Sequence, residues 1–116
     1  MNRQQKAIHD RLGEFGWELA GREVVNEWWA DDCWRLRSTW PPATCEAFLT
    51  FIVNPQSSVY NRLPGEKVWA VKASSVLPKT WEEEGREFLL EFGHEWTDRL
   101  PQLFGSLSRI RGEHGS

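Results

Sequence analysis

Apolar residues change their spacing several times along this chain, and each change marks an element. Ile8, Leu12 and Phe15 recur at helical spacing with His9, Asp10 and Arg11 between them, so residues 4–13 read as a short amphipathic helix closed by Gly13 or Gly16. Beyond it the period shortens. Trp17 and Leu19 alternate before Gly21, where a bulge would flip the phase and bring Val24 or Val25 inward, which predicts a first strand over 17–25. Over 28–38 the alternation is clearer: Trp28, Ala30, Asp32, Trp34 and Leu36 share one parity and read as inward. Trp29, Asp31, Cys33, Arg35 and Arg37 share the other. Pro41 and Pro42 each remove a ladder donor and fix φ, so residues 38–44 form a turn.

Residues 45–53 are apolar at both parities, as a central strand requires. Ala47, Leu49, Phe51 and Val53 fall on one face, Phe48 and Ile52 on the other. A turn symmetric about Pro41 and Pro42 sets Trp34 opposite Leu49, Leu36 opposite Ala47 and Cys33 opposite Thr50. That register keeps Cys33 several residues from Cys45, too far for a disulfide. A polar loop of about a dozen residues follows, at the long end for a compact domain. Residues 66–74 then read as a fourth strand, with Val68 and Ala70 opposing Trp69 and Val71.

Thr80, Trp81, Glu82 and Glu83 have the form of a capping box, which predicts a helix start. Trp81, Phe88, Leu89, Phe92 and Trp96 continue at helical spacing, and Leu100, Leu103, Phe104, Leu107 and Ile110 resume the stripe. Pro101 inside that run would cost about 3 kcal/mol, so the spacing predicts a kink, or two helices meeting, over 98–101. Glu84, Glu87, Glu91 and Glu95 would then line one solvated acidic helix face, and residues 112–116 would fray. The expected architecture is one α+β domain over residues 1–116, in the order α-β-β-β-β-α-α. A four-stranded antiparallel sheet is flanked by a short N-terminal helix and a long, Pro-kinked C-terminal helical segment.

Composition narrows the functional classes. A chain of 116 residues suits one domain, and 40% hydrophobic with 27% charged residues matches globular averages. The longest apolar run is far too short to span a bilayer, and no hydrophobic leader follows the polar first six residues, so the expectation is a cytoplasmic protein with no membrane partner. A net charge of −3 argues against nucleic acid. Cys33 and Cys45 lie outside any CxxC pattern and the three His are scattered, so no metal is expected and both thiols read as reduced. The glycines form no phosphate-cradling loop, and no cofactor is expected.

Eight Trp are the compositional outlier, since each carries a large apolar area and one N–H that needs a partner when buried. Parity sends Trp29, Phe48 and Ile52, and with them Trp69, to the sheet face opposite the inward set. Arg35 and Arg37 share that face with Trp29. Their guanidiniums could stack on an indole or hold a carboxylate or phosphate, or form cross-strand ion pairs in solvent. The candidate binding set is therefore Trp29, Arg35, Arg37, Trp40, Phe48 and Trp69. It favours a non-enzymatic protein-binding or adaptor domain, with a protein partner or a second copy on an aromatic sheet face. The alternative is a small-molecule or carbohydrate-binding domain using Trp stacking. An enzyme using His94 with a neighbouring glutamate has the least support, because no nucleophile is placed beside it.

Overall fold

The computed structural model describes residues 3–23, 30–41, 45–53, 68–77, 86–93 and 95–114. Helix α1 (Arg3–Leu12) runs into a 3-10 turn (Gly13–Phe15) that ends at Gly16, whose φ of 78° closes it. Strands β1 (Trp17–Arg22), β2 (Ala30–Ser38), β3 (Glu46–Val53), β4 (Val68–Ser74) and β5 (Arg86–Glu91) form one sheet in the order β1-β2-β3-β4-β5, every neighbouring pair antiparallel. A second 3-10 turn (Trp96–Arg99) leads into helix α2 (Leu100–His114). The α+β class stands. The sheet has five strands, one more than the hydrophobic pattern predicts.

The fifth strand replaces the first part of the expected long helix. Val71 pairs with Leu90 and Ala73 with Phe88, so β5 completes the open side of β4. Phe88, Leu90 and Phe92 satisfy a period of two as well as Phe88, Leu89 and Phe92 satisfy a helical one. Pairing with β4 decides between them, a tertiary override of local spacing. Glu87 and Glu91 therefore lie on a strand and the predicted acidic helix face does not form, while Glu84 and the capping residues 80–83 lie outside the described residues. Pro101 kinks no long helix; it stands where two helical pieces meet, the 3-10 turn Trp96–Arg99 and α2, which is the other outcome expected over 98–101. It occupies the first turn of α2, where its missing N–H has no intrahelical acceptor to lose. That helix continues to His114, past the glycine where fraying was expected.

The register of β2 on β3 is the one read from the turn: Cys33 faces Thr50, Trp34 faces Leu49 and Leu36 faces Ala47. The bulge expected near Gly21 falls at Ala20, between the Leu19 and Gly21 pairs. Another irregularity falls between Ala30, which faces Ile52, and Asp32, which faces Phe51, and it shifts the phase. Ala30 consequently packs with Ile52, Ala70 and Leu89 on the second face rather than with Trp34 as the alternation implied.

Both helices lie on one sheet face. Ile8 and Leu12 from α1 and Leu100, Leu103, Phe104, Leu107 and Ile110 from α2 close a core over Trp34, Leu36, Leu49, Phe51, Val71, Ala73 and Leu90. The centre of the opposite face is closed too: Cys33, Thr50, Ile52, Ala70, Lys72 and Ser74 are all buried within the chain. No helix among the described residues is long and apolar enough to cross a membrane.

Candidate functional site

The residues singled out by the sequence separate into two places. On the second face, Arg35 stands in one cross-strand row with Gly21 and Phe48. Its guanidinium lies across Gly21, with Nη2 3.3 Å from where a Cβ would sit. It bridges Glu46, to which Nη1 donates at 3.1 Å, and Glu23, whose Oε1 is 3.1 Å from Nε. The second contact is an ion pair rather than a hydrogen bond, because Nε finds no aligned acceptor. Arg37 is exposed between its cross-strand neighbours Glu18 and Glu46, and Phe48 is half-buried. This is a row of alternating charges in which the half-exposed pairs of Arg35 contribute about 0.2–1 kcal/mol each. Trp29 lies outside the described residues, as does the side chain of Trp69, whose backbone is part of β4.

Trp40 is elsewhere, at the end of β2 on the helix side. Ser38 Oγ accepts from Trp40 N at 3.2 Å and donates to Trp40 O at 2.6 Å, a hydroxyl turn that fixes the residue after the strand stops. Thr39 N donates to Gly16 O at 2.8 Å, which ties this turn to the end of the first 3-10 turn. The indole then lies so close over Gly16 that no Cβ fits there.

Arg111 completes this site. It lies one helical turn beyond Leu107 and two beyond Phe104 on the apolar stripe of α2, so helical period alone drives it inward. Its Nη2 donates to Phe15 O at 2.7 Å and Gly16 O at 2.9 Å, two backbone carbonyls nearly a hundred residues earlier. The guanidinium carbon is 4.5 Å from the Trp17 ring centroid and 4.8 Å from that of Trp40, so both indoles supply cation–π attraction. Beside it Phe15 stacks on Phe104 at 4.4 Å. Arg111 is 7% exposed while Trp40 is 48% exposed, so the indole is the outer cover of a buried cation.

The electrostatics of this cation are unusual. Arg35 has Glu23 and Glu46, and Arg22 has Asp32 at 3.6 Å, but Arg111 pairs with no carboxylate among the described residues. Burial accordingly pulls its pKa down, with Cys45 opposing. Cys45 is a buried free thiol whose pKa is raised by burial and moderated by Arg111. Two N–H groups in this cluster, Trp17 Nε1 and Arg111 Nε, are buried with no acceptor.

No family model, curated protein or solved structure matches this chain.

Other polar clusters are satisfied internally. Asp32 Oδ2 accepts from Gln5 Nε2 and from Trp34 Nε1, both at 3.1 Å, and Oδ1 accepts from Cys33 N at 2.9 Å, which ties α1 to β2. His9 meets Trp34 edge-on at 6.1 Å. Cys33 Sγ is 3.4 Å from Thr50 Oγ1, and burial pushes this thiol up to about 11, Thr50 opposing and Glu23 and Asp32 adding. It therefore stays protonated and inert at neutral pH. No group of three His, Cys, Asp or Glu that could hold a metal occurs among the described residues, and His94 lies outside them. Sequence reading missed Arg111 because a charged residue in a C-terminal helix reads as solvated. The signal available was its offset from Phe104 and Leu107.

Proposed function

We propose that this chain is a non-enzymatic protein-binding domain, in the cytoplasm, whose contact is anchored on Trp40. The observation that carries the reading is an indole pinned on one side by Gly16 and Arg111 and exposed on the other. An exposed indole has a large area to bury, which is the profile of an interface hot spot. Thr39 and Pro41 beside it are exposed, and Arg37 offers a charge on the neighbouring strand end. The partner is a second protein or a second copy of the chain. Two free thiols suit a reducing compartment.

Trp40→Ser tests this. Light scattering over rising concentration should show a mass above 13.6 kDa, alone or with the captured partner, for the wild-type chain and not for the variant. A wild-type chain that stays monomeric and captures the same proteins as Trp40→Ser would sink the reading. The same exposed indole face also suits stacking on a sugar, so a sugar panel that raises the melting midpoint of wild type but not Trp40→Ser would favour the carbohydrate alternative.

A further inference from the structure

We infer that Trp40 is the lid of an oxyanion site built on Arg111, and that a carboxylate of the bound partner enters it, an inference that rests on the protein-binding reading above. The geometry points there through three independent features. First, Arg111 is a buried cation with no acidic partner among the described residues, whereas Arg22 and Arg35 each have one. Among the described residues, the acceptors of the Arg111 guanidinium are the two carbonyls held by Nη2. Second, Arg111 Nε–H and Trp17 Nε1–H both lack an acceptor, although Arg111 stacks on the Trp17 ring. Two buried donors without acceptors, on residues that touch, call for an oxygen ligand, because a buried donor left unpaired is destabilising. Third, the group lying over the guanidinium is Trp40, half-exposed on a turn held by the Ser38 hydroxyl and by two backbone hydrogen bonds, Thr39 N to Gly16 O and Ser38 N to Cys45 O.

The closed state keeps the cation on carbonyl oxygens and indole faces. Swinging the indole outward exchanges one cation–π contact for a charge-assisted ion pair, and the bound partner takes over the cover that Trp40 gave. Trp40 then turns toward the partner while Arg111 receives its charge, so the hot spot and the oxyanion site act in one binding event. The net charge of −3 makes such a partner's carboxylate a local rather than a long-range attraction, and the salt dependence of association should be shallow.

The test uses small probes on the isolated chain. Sodium acetate and inorganic phosphate are titrated against chloride at constant ionic strength into wild type, Trp40→Ala and Arg111→Lys, with far-UV circular dichroism as the check on folding. Acetate should bind Trp40→Ala at least about tenfold more tightly than wild type, because the closed lid lowers apparent affinity by the fraction of time it is open. Arg111→Lys should lose that binding. Acetate binding equal in wild type and folded Trp40→Ala, or absent from both, overturns the lid and the site, and phosphate binding without acetate binding overturns the carboxylate. If Arg111→Lys fails to fold, the comparison of Trp40→Ala with wild type still decides. A partner lost in Trp40→Ser with no acetate site leaves protein binding standing alone, and an acetate site with no partner does the reverse.

Discussion

Gly16 meets two demands that no other residue meets together: a left-handed backbone at φ 78° and room for the Trp40 ring where a Cβ would stand. Gly16→Ala should therefore cost more than the roughly 1 kcal/mol that positive φ alone imposes on an L-residue, and should also displace the indole. Urea unfolding reads the first effect and the emission of the Trp40 environment the second. A loss under about 0.5 kcal/mol with unchanged emission would contradict the contact. Cys33 supplies a second test at this scale. Its folded pKa of about 11 lies above the 9.0 of an unburied thiol, so the folded state holds its proton over that window and the unfolded state releases it. Stability is then unaffected by this group below pH 9 and falls as pH rises from 9 to 11, by roughly 2 kcal/mol for a shift of that size. Cys33→Ser should flatten that alkaline decline in denaturant unfolding followed against pH, apart from the part in the same direction that Cys45 contributes.

At the scale of elements, Pro101 separates the expected architecture from the observed one. In a helix interior it would cost about 3 kcal/mol, so Pro101→Ala would stabilise by about that much. In the first turn of α2 the substitution should change stability by less than about 1 kcal/mol, measured by thermal or urea unfolding. The register of β2 on β3 was legible because Trp34, Leu36, Leu49 and Ala47 each have one side to hide, and a slip of one residue would expose all four. Segment 86–92 was not legible, since its apolar residues satisfy both periods and only the unpaired side of β4 chooses between them. The irregularity between Ala30 and Asp32 carried no mark in the sequence, which is why Ala30 was placed on the wrong face. For the candidate site, Trp40 was visible as an aromatic in a Pro turn, but its partner Arg111 was not, because nothing local links two residues so far apart in sequence.

Considered whole, the molecule closes both faces of its sheet at the centre and leaves its exposed aromatic at one end. Among the large hydrophobic side chains described, only Trp40 and Val76 are exposed. The described aromatic surface is therefore open just past the end of β2, while Trp29 and the Trp69 side chain, on which the broad-face expectation rests, lie outside the described residues. In the charge ladder of Glu18, Arg37, Glu46, Arg35 and Glu23 along the same strands, Arg35 is already paired with Glu23 and Glu46, and half-exposed pairs of this kind contribute little.

The strand order also bears on how the chain reaches this state. Each strand pairs only with its neighbours in sequence, so the sheet can grow by successive short closures whose entropic cost is small. The clasp of Arg111 on Phe15 and Gly16 is different, since it joins points separated by almost the entire described chain. Such a contact is costly to form early and natural to form last. Arg111→Lys should then speed unfolding several-fold while leaving refolding nearly unchanged, as stopped-flow kinetics in urea would show. Equal slowing of refolding would place the clasp in the transition state instead. If it does close last, it opens first. Local opening at Trp40 and Arg111 would then be the native fluctuation of lowest energy, with the rest of the sheet intact beneath it.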